Sequence, residues 1–420
     1  MYSVTRLPNG LTLATAEMPH MTSVSVGIWV GVGSRYEPVE INGVCHFIEH
    51  LLFKGTKRRS ARQISEAVEG IGGSLNAFTS EEITCFHARA EADRLPQILD
   101  VLMDMLLRSQ FAPMEIRRER KVIKEEIAMY WDEPQHLVQE LLNTTIWPEQ
   151  PLGRPITGTP ESLDQATRER IIRYMGANYV SANTLVVAAG KVKHRSLLSL
   201  ARRYARHFNQ GKPPAYPTDQ SEQREPRVSL LKKKIEQTQM ALGIRSFSRH
   251  DERRYALRLL NVILGENMSS RLFQVIREDR GLSYSIYSTP SFFDDTGDVV
   301  ISAGLDTNNL EKTLRLIARE LRRFTESPPS TMELRRARDY VLGQIDLASE
   351  STETQMNWVG EQLLGYGRIF EIAEVKRRLR ALVPGDIRAV AEDVFRPERL
   401  NLALVSPLKS GEWLKPLLRI

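Results

Sequence analysis

The stretch MEIRRERKVIKEEI, Met114 to Ile127, lines up without a gap on MELRRARDYVLGQI, Met332 to Ile345, at an offset of 218 residues. A match of this kind within one chain marks a duplicated unit, and it extends outward. LPQILDVLMDMLLR from Leu95 corresponds to LEKTLRLIARELRR from Leu310, and HFIEHLLF from His46 falls against ENMSSRLF from Glu266. Strand-like runs open both halves, TSVSVGIWVGVGSR (Thr22–Arg35) and EQTQMALGIRSFSR (Glu236–Arg249). Each half therefore reads as strand, helix, helix–turn–strands, helix, long helix and closing strand. The expected class is α+β, with two homologous α/β-sandwich halves, each a mostly antiparallel sheet packed with helices.

Between the halves lies NQGKPPAYPTDQSEQREPR, Asn209 to Arg227, with four prolines and no apolar periodicity. It reads as a linker. The expected division is a domain over 1–210, a linker over 211–227 and a second domain over 228–420, and a chain of 420 residues is long enough for two cores. An apolar share of 41% and a charged share of 26% are those of an ordinary globular protein. The first residues lack the pattern of an export signal, and no run of eighteen uncharged apolar residues occurs, so a soluble, cytoplasmic protein without a membrane partner is expected. The net charge of +6 comes from 58 basic and 52 acidic residues, mixed along helices as in EIRRERKVIKEE. That mixing suits solvated helix faces and gives no coherent basic stripe for nucleic acid. Cys45 and Cys85 are too few for a disulfide framework; a reduced, buried pair is expected, with a single bridge left open.

Against this repeat, the polar differences become informative. In the alignment above, His46, Glu49 and His50 are replaced by Glu266, Ser269 and Ser270, while Glu119 and Glu126 are replaced by Ala337 and Gln344. Residues dispensable to the fold in one copy are not needed for packing in the other, which points to a site in the first half alone. His46 and His50, four apart, share a helix face, and Glu49 stands beside them. The spacing H-x-x-E-H is the inverted zincin pattern, although by itself it fits hydrogen-bonded histidines as well as a metal pair. A catalytic zinc takes a third protein ligand, and the helix of the quoted stretch can supply it. Glu119 and Glu126 lie on one stripe about 10.5 Å apart, too far to bind one ion together.

HFIEH followed by Glu126 within ERKVIKEEI resembles the pitrilysin or insulinase-type zinc peptidases, in particular bacterial two-domain members and the catalytic β-subunit of the mitochondrial processing peptidase. SLNAFTSEEIT, LGRPITGTPESL and NLALVSP carry the resemblance along nearly the whole chain. It implies one Zn2+ per chain held by His46, His50 and Glu126, with Glu49 as general base and Glu119 as a supporting carboxylate. Glu125, the rival ligand, lies about 100° around the helix from Glu126. The resemblance also makes SLNAFTSEE an edge strand to which a substrate peptide adds, Asn76 and Ala77 contacting its backbone, and makes Arg277 and Tyr284 the residues that hold substrate and stabilise the oxyanion. In fused relatives that Arg–Tyr segment faces the zinc from another domain. The chain is thus expected to form half of a clamshell, a homodimer in which Arg277 and Tyr284 act in trans and which cleaves short or unfolded peptides in a closed chamber. The alternative is a noncatalytic peptide-binding or structural subunit acting with a sister chain. GIGGS at Gly70 and GKVKHRS at Gly190 lack the spacing of phosphate loops, so no nucleotide is expected. His87 and Cys85 are expected in the core or beside the site.

Overall fold

The computed structural model describes residues 2–219 and 222–420. In chain order β1 (Tyr2–Arg6), β2 (Thr12–Glu17), β3 (Ser23–Val30), β4 (Ser74–Thr79), β5 (Thr84–Glu91) and β6 (Thr184–Gly190) form one sheet. β7 (Arg227–Lys232), β8 (Thr238–Ser246), β9 (Ser283–Phe292), β10 (Gly297–Leu305) and β11 (Leu400–Ser406) form another. The strand orders are β1-β2-β6-β3-β5-β4 and β7-β11-β8-β10-β9. In both, the one parallel contact between the equivalent strands (β2 with β6, β7 with β11) is followed by antiparallel ladders. The two halves are therefore one topology used twice, with β1 added to the first.

Sequence explains where each strand sits. TLVVAAG in β6 is apolar and buried at every residue, as a central strand covered on both faces must be. SLNAFT in β4 starts exposed, half-buried, exposed, half-buried, the alternation of an edge strand with one face to the core. On one face of the first sheet, Val26, Ile28, Phe86 and Val186 pack with Phe47 and Ile48 of helix Val44–Leu52 and with Leu99 and Leu102 of helix Leu95–Arg108. On the other, Trp29, Cys85 and Val187 pack with Met356 and Val359.

Met356 and Val359 belong to helix Thr352–Tyr366, which comes from the second half of the sequence. The compact units are accordingly Met1–Ala128, Arg154–Pro217 and Asp346–Ile369 for the first, and Met129–Gly153, Thr218–Ile345 and Phe370–Ile420 for the second. This corrects the contiguous domains expected over 1–210 and 228–420. Helix Pro134–Ile146, 218 residues before Thr352, makes the reciprocal move: its Leu142 and Ile146 pack on Ala241, Ala403 and Val405 of the second sheet. An apolar sheet face needs a cover, and each sheet takes its cover from the other half of the chain. Glycines permit the close approach. A methyl group on Gly360 would stand 2.4 Å from the Trp29 ring, and one on Gly243 2.5 Å from Ile146 Cδ1.

Residues 211–219 and 222–226 of the expected linker carry no helix or strand, and Gln220 and Ser221 lie outside the described residues. The stretch is anchored within the first unit at Tyr216, whose ring meets Tyr36 edge-on and lies 3.9 Å beneath the Arg35 guanidinium. Cys45 and Cys85 are both free and buried. Among the described residues no helix is long and apolar enough to cross a membrane.

The match of His46–Phe53 to Glu266–Phe273 does not survive. In the first unit helix Val44–Leu52 packs on β4 and on helix Arg168–Asn178, and helix Ala61–Glu69 packs on β4 and Leu95–Arg108. In the second, helix Arg254–Asn261 packs on β9 and on Pro384–Val394, and the wide turn Phe273–Glu278 packs on β9 and Leu310–Glu326. The counterpart of Val44–Leu52 is thus Arg254–Asn261 with its π-helical continuation Val262–Glu266, which presents buried Leu257, Leu259 and Leu260. The second copy is still depleted of ligands, in a different register.

Candidate metal centre

Helix Val44–Leu52 begins at Gly43, whose φ of 90° is a left-handed conformation and which has no side chain to cap the helix. The cap is Glu37. Its carboxylate accepts the backbone N–H groups of Gly43 at 2.6 Å and Cys45 at 2.7 Å and the Asn42 amide at 2.8 Å. These satisfy donors that a helix start leaves open, and the negative charge suits that end of the helix. Burial lifts the Glu37 carboxyl to about 7 against the lowering effect of those same hydrogen bonds.

Two turns of this helix carry the imidazoles, with ring centroids 4.6 Å apart. The Nε2 atoms of His46 and His50 stand 3.8 and 3.7 Å from Oε2 of Glu126 on helix Pro113–Asp132. One donor atom from each of the three lies within 4.8 Å of the others, and among the described residues this is the group of three that could hold a metal ion. The separations exceed hydrogen-bond length, so the three donors converge without bonding one another. A tetrahedral ion about 2.0–2.2 Å from each would hold them about 3.4 Å apart, and the donor set, two imidazoles and a carboxylate, is one that zinc takes. The residues fit the metal. Glu125 is not among them.

Neighbours orient the donors. Glu119, 4% exposed, sets Oε2 3.2 Å from His50 Nδ1 and receives Lys54 Nζ on Oε1 at 3.0 Å, which leaves Nε2 of His50 for the centre. Burial first, and then the neighbouring His50, press His46 down to about 4, with Glu126 acting in the opposite sense. His46 is therefore neutral, as a ligand must be, throughout the neutral range. Burial raises the Glu49 carboxyl above its ordinary value, and the hydrogen bond from Thr79 Oγ1, 2.5 Å long, offsets part of that.

The sequence profile of Insulinase (Peptidase family M16) matches residues 12–160, and that of the Peptidase M16 inactive domain matches residues 165–341. The chain belongs to peptidase family M16. M16 relatives include an uncharacterized zinc protease of Streptomyces coelicolor, 38% identical over 97% of this chain and 90% of its own length. Another is the uncharacterized zinc protease YmxG of Bacillus subtilis, 35% identical over 95% of this chain and 97% of its own. Among solved structures, a protease from Helicobacter pylori has a TM-score of 0.90 at 21% identity, covering 97% of this chain and all of its own. A peptidase M16 inactive domain from Pseudomonas fluorescens reaches 0.91 at 17% identity over 98% and 99%. These last two speak for the M16 fold.

The other expected site residues fall as follows. Asn76 and Ala77 lie on β4, at the open edge of the first sheet, with Asn76 exposed and opposite His87 of β5. The Asn76 side-chain oxygen takes the N–H of Ala77 at 2.9 Å. His87 is lowered by burial and lies 3.8 Å from Glu353 of helix Thr352–Tyr366. Arg277 and Tyr284 belong to the second unit and meet there: the guanidinium lies 4.7 Å from the Tyr284 ring and 4.7 Å from that of Phe273. Tyr284 is 80% exposed at the start of edge strand β9. Glu37, Lys54 and Thr79 escaped the sequence reading. Only Thr79 left a signal: the alternation of β4 puts it on the same face as Leu75 and Ala77, toward the histidine helix.

Proposed function

We propose that the chain is a zinc-dependent endopeptidase, with one zinc per chain held by His46, His50 and Glu126. The observation that carries this reading is the convergence of those three donors, with the carboxylate of Glu49 on the same helix as the histidines and outside the group. Zinc at such a centre lowers the pKa of water to roughly 7 and polarises a peptide carbonyl. Glu49, its basicity raised by burial, takes up the proton of the attacking water and delivers one to the leaving amine. Glu119 keeps His50 in the tautomer that offers Nε2. An extended substrate adds to β4 beside Asn76 and Ala77, which selects unfolded or short peptides.

Arg277 and Tyr284 complete the proposal from a second copy of the chain. The exposed phenol can donate a hydrogen bond to a developing oxyanion, and the guanidinium stacked on its ring steadies it. Two copies would then close around the peptide, each supplying the other's second set.

The test is incubation of zinc-loaded protein with a peptide library, with products read by mass spectrometry, alongside Glu49→Gln. The variant should keep its zinc and lose at least about 100-fold in turnover, at the low end of what a general base contributes. Undiminished cleavage by the variant would end the base assignment. Removal of zinc by 1,10-phenanthroline should abolish cleavage by the wild type.

A further inference from the structure

We propose that Thr79 is a positioning residue: the last residue of the strand to which substrate adds also fixes the orientation of the general base. This inference rests on the peptidase reading above and deepens it. Thr79 Oγ1 donates to Glu49 Oε2 at 2.5 Å, and among the described residues this is the one hydrogen bond made by the Glu49 carboxylate. Two polar groups close by on the same stretch of chain, His50 Nδ1 and Lys54 Nζ, are engaged with Glu119.

The hydroxyl is held by the sheet. Thr79 pairs with Thr84 of β5, and its β-branched side chain has a restricted χ1, so the donor is fixed by the ladder that also carries Asn76 and Ala77. Ala77 lies two residues, about 7 Å, back along the same strand. A peptide docked on β4 and the carboxylate of Glu49 are thus referred to one rigid element. Without the hydroxyl, Glu49 could rotate about its side-chain bonds while the zinc ligands stayed in place. The loss should fall on the chemical step and leave substrate binding alone.

The experiment compares zinc-loaded wild type, Thr79→Val and Thr79→Ser on one fluorogenic peptide, with zinc content and thermal melting measured on the same samples. Thr79→Val, nearly isosteric, should hold zinc and keep KM within about twofold while kcat falls roughly 10–100-fold, the range for loss of a hydrogen bond to a charged group. Thr79→Ser should restore most of kcat. Should the valine variant fail to fold, the pair Thr79→Ala and Thr79→Ser gives the same comparison, since those side chains differ only in the hydroxyl. A valine variant with wild-type kcat overturns the proposal, and so does a serine variant as slow as the valine or alanine one. A wild-type chain that binds zinc and cleaves no peptide removes the peptidase reading and this assignment with it, and the wild-type control alone reveals that case.

Discussion

Five residues from two helices, His46, Glu49, His50, Glu119 and Glu126, make the centre, and their division of labour follows from which atoms are already committed. His50 has one ring nitrogen turned to Glu119 and the other to the centre, while Glu119 is held in turn by Lys54. Glu119→Gln keeps the shape but removes the charge facing His50, so zinc affinity should fall about 10–100-fold, as measured by competition with a chromophoric chelator. Unchanged affinity would reduce Glu119 to a partner of Lys54. Much of this scale was legible in the sequence, because the four-residue spacing of His46 and His50 fixes their shared face and the empty second copy marks them as unneeded for packing. Glu37 was not legible. It reaches the helix start from six residues before Gly43, through a carboxylate buried by the fold, and no local pattern encodes that contact.

At the scale of elements, the gap-free match of the long helices Pro113–Asp132 and Thr331–Ser349 gave the duplication, and the strand orders bear it out. The shorter match failed for a physical reason. Residues 262–266 and 273–278 are wound as π-helical turns with an extended Asn267 between, so the helical register that makes an octamer comparison meaningful is absent there. The glycines of the covering helices provide a direct test of packing. Gly360→Ala forces a methyl group to 2.4 Å from the Trp29 ring and should destabilise the protein by about 1–3 kcal/mol in urea unfolding. Gly343→Ala, in a helix where a methyl group meets nothing within 4 Å, should stabilise by roughly 0.5–1 kcal/mol. Equal effects of the two substitutions would contradict the close approach at Trp29.

For the whole molecule, the sequence suggested contiguous halves, and the exchange of Pro134–Ile146 and Thr352–Tyr366 was hidden because a helix that covers its own sheet and one that covers another carry the same apolar stripe. The proposed dimer has its own test at this scale. Glu49→Gln chains and Arg277→Ala chains, each nearly inactive alone, should recover part of the wild-type cleavage rate on mixing, because one pairing restores an intact centre with an intact Arg–Tyr set. No recovery, with mixed dimers demonstrated by mass spectrometry, would exclude the arrangement in trans.

The exchanged helix also sets a timetable. The last strand of the first sheet ends at Gly190, yet the helix that covers Trp29 and Val187 does not begin until Thr352. At about 5–20 residues per second, a ribosome needs on the order of ten to thirty seconds to deliver the intervening stretch. A first sheet that formed within that interval would have one apolar side still uncovered, and a chaperone that binds extended apolar surface would find its opening there.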